Sequence, residues 1–117
     1  MSNDQFYFIS NNDAVLKQVL VTSETAIIEI ETWDNKRCEI CCTEIYGFKS
    51  STGIGQDIGD ISLNRESDFF IETAKRLFDD PENIPPSVMS LIVCEAADGT
   101  PVLEVIAEKF AVNKRDS

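Results

Sequence analysis

Two stretches of strict apolar–polar alternation, separated by a short polar turn, constrain this chain more than any other feature. Across residues 25–33, Ala26, Ile28 and Ile30 fall on one side and Glu29 and Glu31 on the other. Across residues 37–46, Cys38, Ile40 and Cys42 oppose Arg37, Glu39 and Thr43. Successive side chains of a strand point to opposite faces, so a period of two marks a strand with one buried and one wet face. Asp34, Asn35 and Lys36 supply the turn between them, and the pair reads as a β-hairpin.

A second hairpin is expected in the C-terminal half. Residues 88–95 and 102–112 are rich in β-branched and apolar residues, and Asp98-Gly99 lies between them, a dipeptide suited to a tight turn. A short strand is expected near residues 58–63. Over residues 67–79 the period changes: Phe70, Ile71, Ala74, Leu77 and Phe78 fall at the spacing of an amphipathic helix stripe. Ser67 is placed to cap its N-terminus, where Asp68 also suits the helix dipole, and Lys75 and Arg76 suit the other end. Pro81, Pro85 and Pro86 stop the helix, because proline lacks the amide and clashes with the preceding turn.

Elsewhere the pattern is weaker. Residues 5–10 read as an aromatic-rich strand, and Asn11, Asn12 and Asp13 as a turn or helix cap. Residues 14–22 fit a helix and a strand equally. Residues 50–57 suit a loop or hairpin tip, and residues 113–117 a frayed tail. These elements predict one α+β domain spanning residues 1–117, an antiparallel sheet built from two hairpins plus a central strand, with one or two α-helices packed on it. A small sandwich with the helix at one end is the competing arrangement.

The composition narrows function by exclusion. The chain has no histidine, which removes the commonest general base, the commonest metal ligand and the histidine-dependent nucleophile systems. Twenty-one acids against ten bases give a net charge of −11, so binding to nucleic acid or an anionic membrane is disfavoured by repulsion. No apolar run approaches the ~18 residues a membrane helix needs. The first residues lack the pattern of a secretory signal, so a cytoplasmic protein with reduced thiols is expected.

Three motifs come close to chemistry. Cys38, Cys41 and Cys42 contain the C-x-x-C spacing of zinc and redox sites, but strand alternation puts Cys38 and Cys42 on one face and Cys41 on the other. Cys94 is the only cysteine left to complete a site, so all four are expected to pack rather than bind metal. The run Gly53-Ile54-Gly55-Gln56-Asp57-Ile58-Gly59 lacks the lysine of a phosphate-binding loop and carries an aspartate that would repel phosphate. Glu29 with Glu31, and Glu39 with Glu44, are candidate carboxylate pairs, yet they sit on a strand face expected to be solvated. No enzyme activity, cofactor or metal is therefore expected.

What remains is acidity, and it is uneven. Residues 57–104 hold eleven acids and three bases. Asp68, Glu72, Asp79, Asp80 and Glu82 crowd the helix and its exit, and they are the candidate partner-binding residues. Trp33, Tyr46 and Phe48 are either aromatic anchors or core. The expected function is a non-enzymatic acidic protein that binds a basic macromolecule, most concretely a bacterial immunity protein inhibiting a basic toxin such as a nuclease. The alternative is a small-molecule- or metal-binding protein using the cysteine cluster. Unpaired strand edges would also allow a homodimer.

Overall fold

Alternation delivers the first hairpin in register. In a computed structural model, which describes residues 14–32, 36–51, 57–79, 83–96 and 99–116, strand β2 (Thr25–Thr32) pairs antiparallel with β3 (Lys36–Ser50). Ile28 faces Ile40 and Ala26 faces Cys42, all fully buried, while Glu29 faces Glu39 on the other side. The C-terminal hairpin forms as well, from β5 (Met89–Glu95) and β6 (Pro101–Asp116). The stretch expected to fray is part of β6, and Lys36 pairs with Asp116. The expected strand at 5–10, the turn at 11–13 and the Gly53–Gly55 loop tip lie outside the described residues.

The expectation of an α+β sheet with helices packed on it is overturned. The strands close into an antiparallel barrel in the order β1-β2-β3-β6-β5-β4, with one short helix outside it among the described residues. Two causes lie in the chain. The ambiguous segment resolves as strand β1 (Ala14–Val21), which pairs along β2 and reaches β4 (Asp57–Asn64) through Ala14↔Ile58 and Val15↔Asp57. The two edges that an open sheet would leave exposed therefore meet. In addition, β3 and β6 are 15 and 16 residues long, enough for β3 to hold β2 along one end while pairing β6 along its length.

Side chains fill the barrel. Leu16, Ile28, Ile30, Ile40, Ile58, Ile61, Leu91 and Leu103 are all at 2 % exposure or less, and Cys38 and Cys42 point among them. Each such aliphatic side chain contributes about 1.5–3 kcal/mol by leaving water. Outside, the same strands carry Lys17, Glu29, Glu31 and Arg37.

Helix α1 (Asp68–Phe78) forms as its periodicity predicts, and Ser67 caps it by accepting the Phe70 amide at 3.0 Å. It lies on the outer face of β3, β5 and β6. There Phe70 and Ala74 form a second, smaller core with Ile84, Val88 and Ile106, flanked by Tyr46, Phe69 and Phe78. Gly47 permits this contact: a Cβ there would stand 3.2 Å from the Phe69 ring. The helix ends at Asp79, whose φ of 61° is a conformation glycine adopts far more readily.

Candidate functional site

The most unusual polar geometry lies where β3 is bulged against β6. The register slips between Ile45 and Gly47, which places an extra residue in β3, and Glu44 just before it takes a φ of 58°. Glu44 and Asp79 are the two non-glycine residues with positive φ among the described residues, and both are acids. Such conformations cost free energy and persist only where surrounding structure holds them. The two are joined through an aromatic pair. Tyr46 packs on Phe78, the last helical residue, with ring centroids 5.6 Å apart.

Around Tyr46 the polar groups converge on Glu108. The Tyr46 hydroxyl donates to Glu108 Oε2 at 3.4 Å and the Ser87 hydroxyl to Oε1 at 3.0 Å. Glu44 belongs to the same cluster, and its Oε1 lies 3.7 Å from the Lys109 ammonium. Hydrogen bonding with the Glu44 carboxyl, followed by that from Ser87, holds Glu108 below the usual carboxylate range. Desolvation opposes this, and the Tyr46 hydrogen bond and the Lys109 charge add smaller effects in the lowering direction. Tyr46 is displaced upward, first by partial burial and then by the charge and hydrogen bond of Glu108 and the charge of Glu44. Two carboxyls in hydrogen-bonding contact repel once both are ionised, and a cation relieves that repulsion. Chemically, a carboxyl pair of this kind suits an ammonium or guanidinium group.

A second acid is buried. Glu104 is 3 % exposed on β6, and its Oε2 accepts hydrogen bonds from the hydroxyls of Ser67 and Ser90. Ser67 is also the helix cap, so the carboxylate sits at the N-terminus of α1, where the dipole favours a negative charge. This is a latch between helix and barrel. Lys49 pairs with Glu104 in register, but its ammonium stands over the Phe69 ring, 5.0 Å from the centroid. A shallow pocket of about 170 Å³ opens beside Lys49, Ser51, Val102 and Glu104.

The cysteines are not gathered. Cys38 and Cys42 face the interior, Cys41 faces outward within 3.8 Å of the Asn113 amide, and Cys94 lies on β5. Among the described residues no group of three or more His, Cys, Asp or Glu side chains could hold a metal ion. Burial, then the neighbouring Cys41, pushes the Cys42 thiol up to about 12. Burial, then the charges of Asp60 and Glu104, also raises Cys94.

Of the predicted partner-binding residues, Asp68 and Glu72 are exposed one helical turn apart on α1, and Asp79 is its exposed C-cap. Asp80 and Glu82 lie outside the described residues, as does Trp33. Tyr46 joins the helix-packing cluster and Phe48 packs against the barrel core. Sequence reasoning missed Glu108 and the cluster it organises. It also passed over Glu104, whose signal was an acid inside the apolar run Val102–Ile106. Among the described residues no helix is long and apolar enough to cross a membrane. No family model, curated protein or solved structure matches this chain.

Proposed function

We propose that this protein is a non-enzymatic binding module that engages a basic macromolecule through the acidic patch at the β3 bulge, around Glu44, Tyr46, Asp79 and Glu108. The carrying observation is the Glu44–Glu108 carboxyl pair, held on a strained bulge beside an aromatic hydroxyl. An arginine or lysine of a partner would add charge-assisted hydrogen bonds to this carboxyl pair. Tyr46 adds a half-buried aromatic of the kind that anchors interfaces. The −11 charge of the whole chain would steer a basic partner toward it and raise the association rate. The concrete form of this reading is an immunity protein or inhibitor directed at a basic toxin such as a nuclease.

The test is affinity capture from the native host at low salt, run in parallel with wild type and a Glu44→Gln/Glu108→Gln double variant. A captured partner is then assayed kinetically against wild type across ionic strength. The expected partner is basic, is lost by the double variant, and associates at least ~10-fold more slowly when salt rises enough to screen the field. A partner that binds both proteins equally, or whose association ignores salt, refutes this placement of the interface.

A further inference from the structure

The outer face that borders the Glu44–Glu108 cluster at Thr43 and Lys109 has a different character. On the outer face of β1, β2, β3 and β6, register aligns Leu20 with Ile27, Ile27 with Cys41, and Cys41 with Ala111. Their neighbours Ile28, Ile40, Cys42 and Phe110 point into the core, so this row points out. Leu20 is 51 % exposed, Ala111 is exposed, and Ile27 and Cys41 are half-buried. Four apolar side chains thus form a continuous strip across four strands.

The charges around the strip nearly cancel. Lys17 pairs with Glu31 at 4.0 Å, Arg37 reaches Glu31 at 3.4 Å and Glu29 at 3.5 Å, and Lys109 reaches Glu44 at 3.7 Å. Among the described residues, and counting Glu39, three bases meet four acids, a local charge of −1 in a chain carrying −11. Two copies of so acidic a protein repel almost everywhere else, and this face is where they can approach.

We infer that this strip is a self-association face, on which a second copy of the chain docks about a twofold axis running along the Leu20–Ile27–Cys41–Ala111 row. The flanking rows select that axis. On one side lie Gln18, Glu29, Glu39 and Asn113; on the other lie Thr25, Thr43 and Lys109. A twofold across the row would set Glu29 of one copy over Glu39 of the other. A twofold along the row sets each copy's glutamates over the other's threonines and Lys109. It also sets every residue of the row against its own counterpart. Because the barrel surface curves away on both sides, the closest approach falls at the centre, Ile27 and Cys41. Convex surfaces bury little area, which places the dimer among weak, reversible associations. The strip does not rest on the basic-partner reading, although it borders that site at Lys109 and Glu44, and salt separates the two. Screening relieves the repulsion between acidic copies, so self-association strengthens as salt rises, whereas a basic partner is lost.

The experiment is sedimentation equilibrium of the full chain from about 10 µM to about 1 mM at low and high salt, a range that brackets a weak dimer. Parallel samples are treated with diamide, which takes two electrons and two protons from a thiol pair and leaves a disulfide. The expected result is a reversible dimer that tightens with salt, is crosslinked by diamide through Cys41 alone, and is weakened at least ~10-fold by Ile27→Lys. Cys41→Ser abolishes the crosslink and leaves the dimer. A monomer throughout, a dimer that diamide joins through Cys94 or leaves unjoined, or one indifferent to Ile27→Lys overturns the inference.

Discussion

Replacing Glu104 by leucine tests the reading of the helix latch. The carboxylate is 3 % exposed, and both Ser67 and Ser90 donate to its Oε2. A hydrogen bond to a charged group contributes about 1.5–3 kcal/mol net, and a buried hydroxyl stranded by loss of its partner costs about 1–3 kcal/mol. Ser90 is fully buried and would be stranded; Ser67 keeps the Phe70 amide as a partner for its oxygen. Leucine restores apolar contact, which offsets part of the loss, so Glu104→Leu is expected to destabilise by about 3–5 kcal/mol. That is a large fraction of the ~5–15 kcal/mol total of an ordinary domain. Glu104→Gln keeps an acceptor without the charge and is expected to lose about 1–2 kcal/mol. Urea unfolding followed by circular dichroism supplies the totals. A double-mutant cycle with Ser90→Ala isolates the pair, and removing both members is expected to recover at least ~1 kcal/mol of the stranded-hydroxyl cost. Native-state hydrogen exchange locates the damage, with the amides of α1 losing protection in Glu104→Gln before those of β2 and β3. Glu104→Leu within about 0.5 kcal/mol of wild type, or no coupling in the cycle, would refute the reasoning.

Thiol titration under native conditions is expected to modify Cys41 first, Cys94 slowly, and Cys38 and Cys42 only on unfolding, since both are buried and the Cys42 thiol is pushed up to about 12. Thr73 Oγ1 is buried without a hydrogen-bond partner, so the near-isosteric Thr73→Val is expected to stabilise by about 1 kcal/mol in thermal unfolding. A Cβ on Gly59 would meet the Ala96 backbone at 2.9 Å, so Gly59→Ala is expected to cost about 1–3 kcal/mol in the same assay. Raising the folded-state value of Tyr46 means the folded protein holds that proton longer than the unfolded chain. Its contribution is intact below pH ~10 and lost above it, and Tyr46→Phe should flatten the alkaline limb of a stability–pH curve.

The local elements were readable because each is decided by neighbours in sequence. Alternation set the faces of β2 and β3, and the Ser67 cap with the stripe from Phe70 to Phe78 set α1. Closure was not readable, because it depends on two residue pairs, Ala14↔Ile58 and Val15↔Asp57, more than forty positions apart. Neither strand shows in its own pattern that it is the other's neighbour. The bulge at Glu44–Gly47 was hidden for a related reason: a slip in register is a property of two strands, whereas periodicity is read along one. Glu44, just before the slip, stays exposed and pairs with Lys109. The acidic residues singled out from the sequence include Asp79 at the end of α1, whereas Glu108 on β6, which accepts from Tyr46, gave no signal along the chain.

Where the charges lie follows from how the barrel closes. Six strands enclose a space that Leu16, Ile30, Ile40, Leu91 and Leu103 already fill, so recognition is confined to the outside. The outside is divided by its strand lengths. β3 and β6 outrun their neighbours, and α1 docks over part of the outer face beside β5, next to the bulge and Glu108. The other part, where β1 and β2 continue the sheet, keeps its bases paired and its apolar strip bare. Lys17, Arg37 and Lys109 are three of ten bases in the chain, and their placement here leaves a local −1 among the described residues. A basic partner and a second copy would therefore favour adjoining regions of different charge, which meet at the Lys109–Glu44 pair.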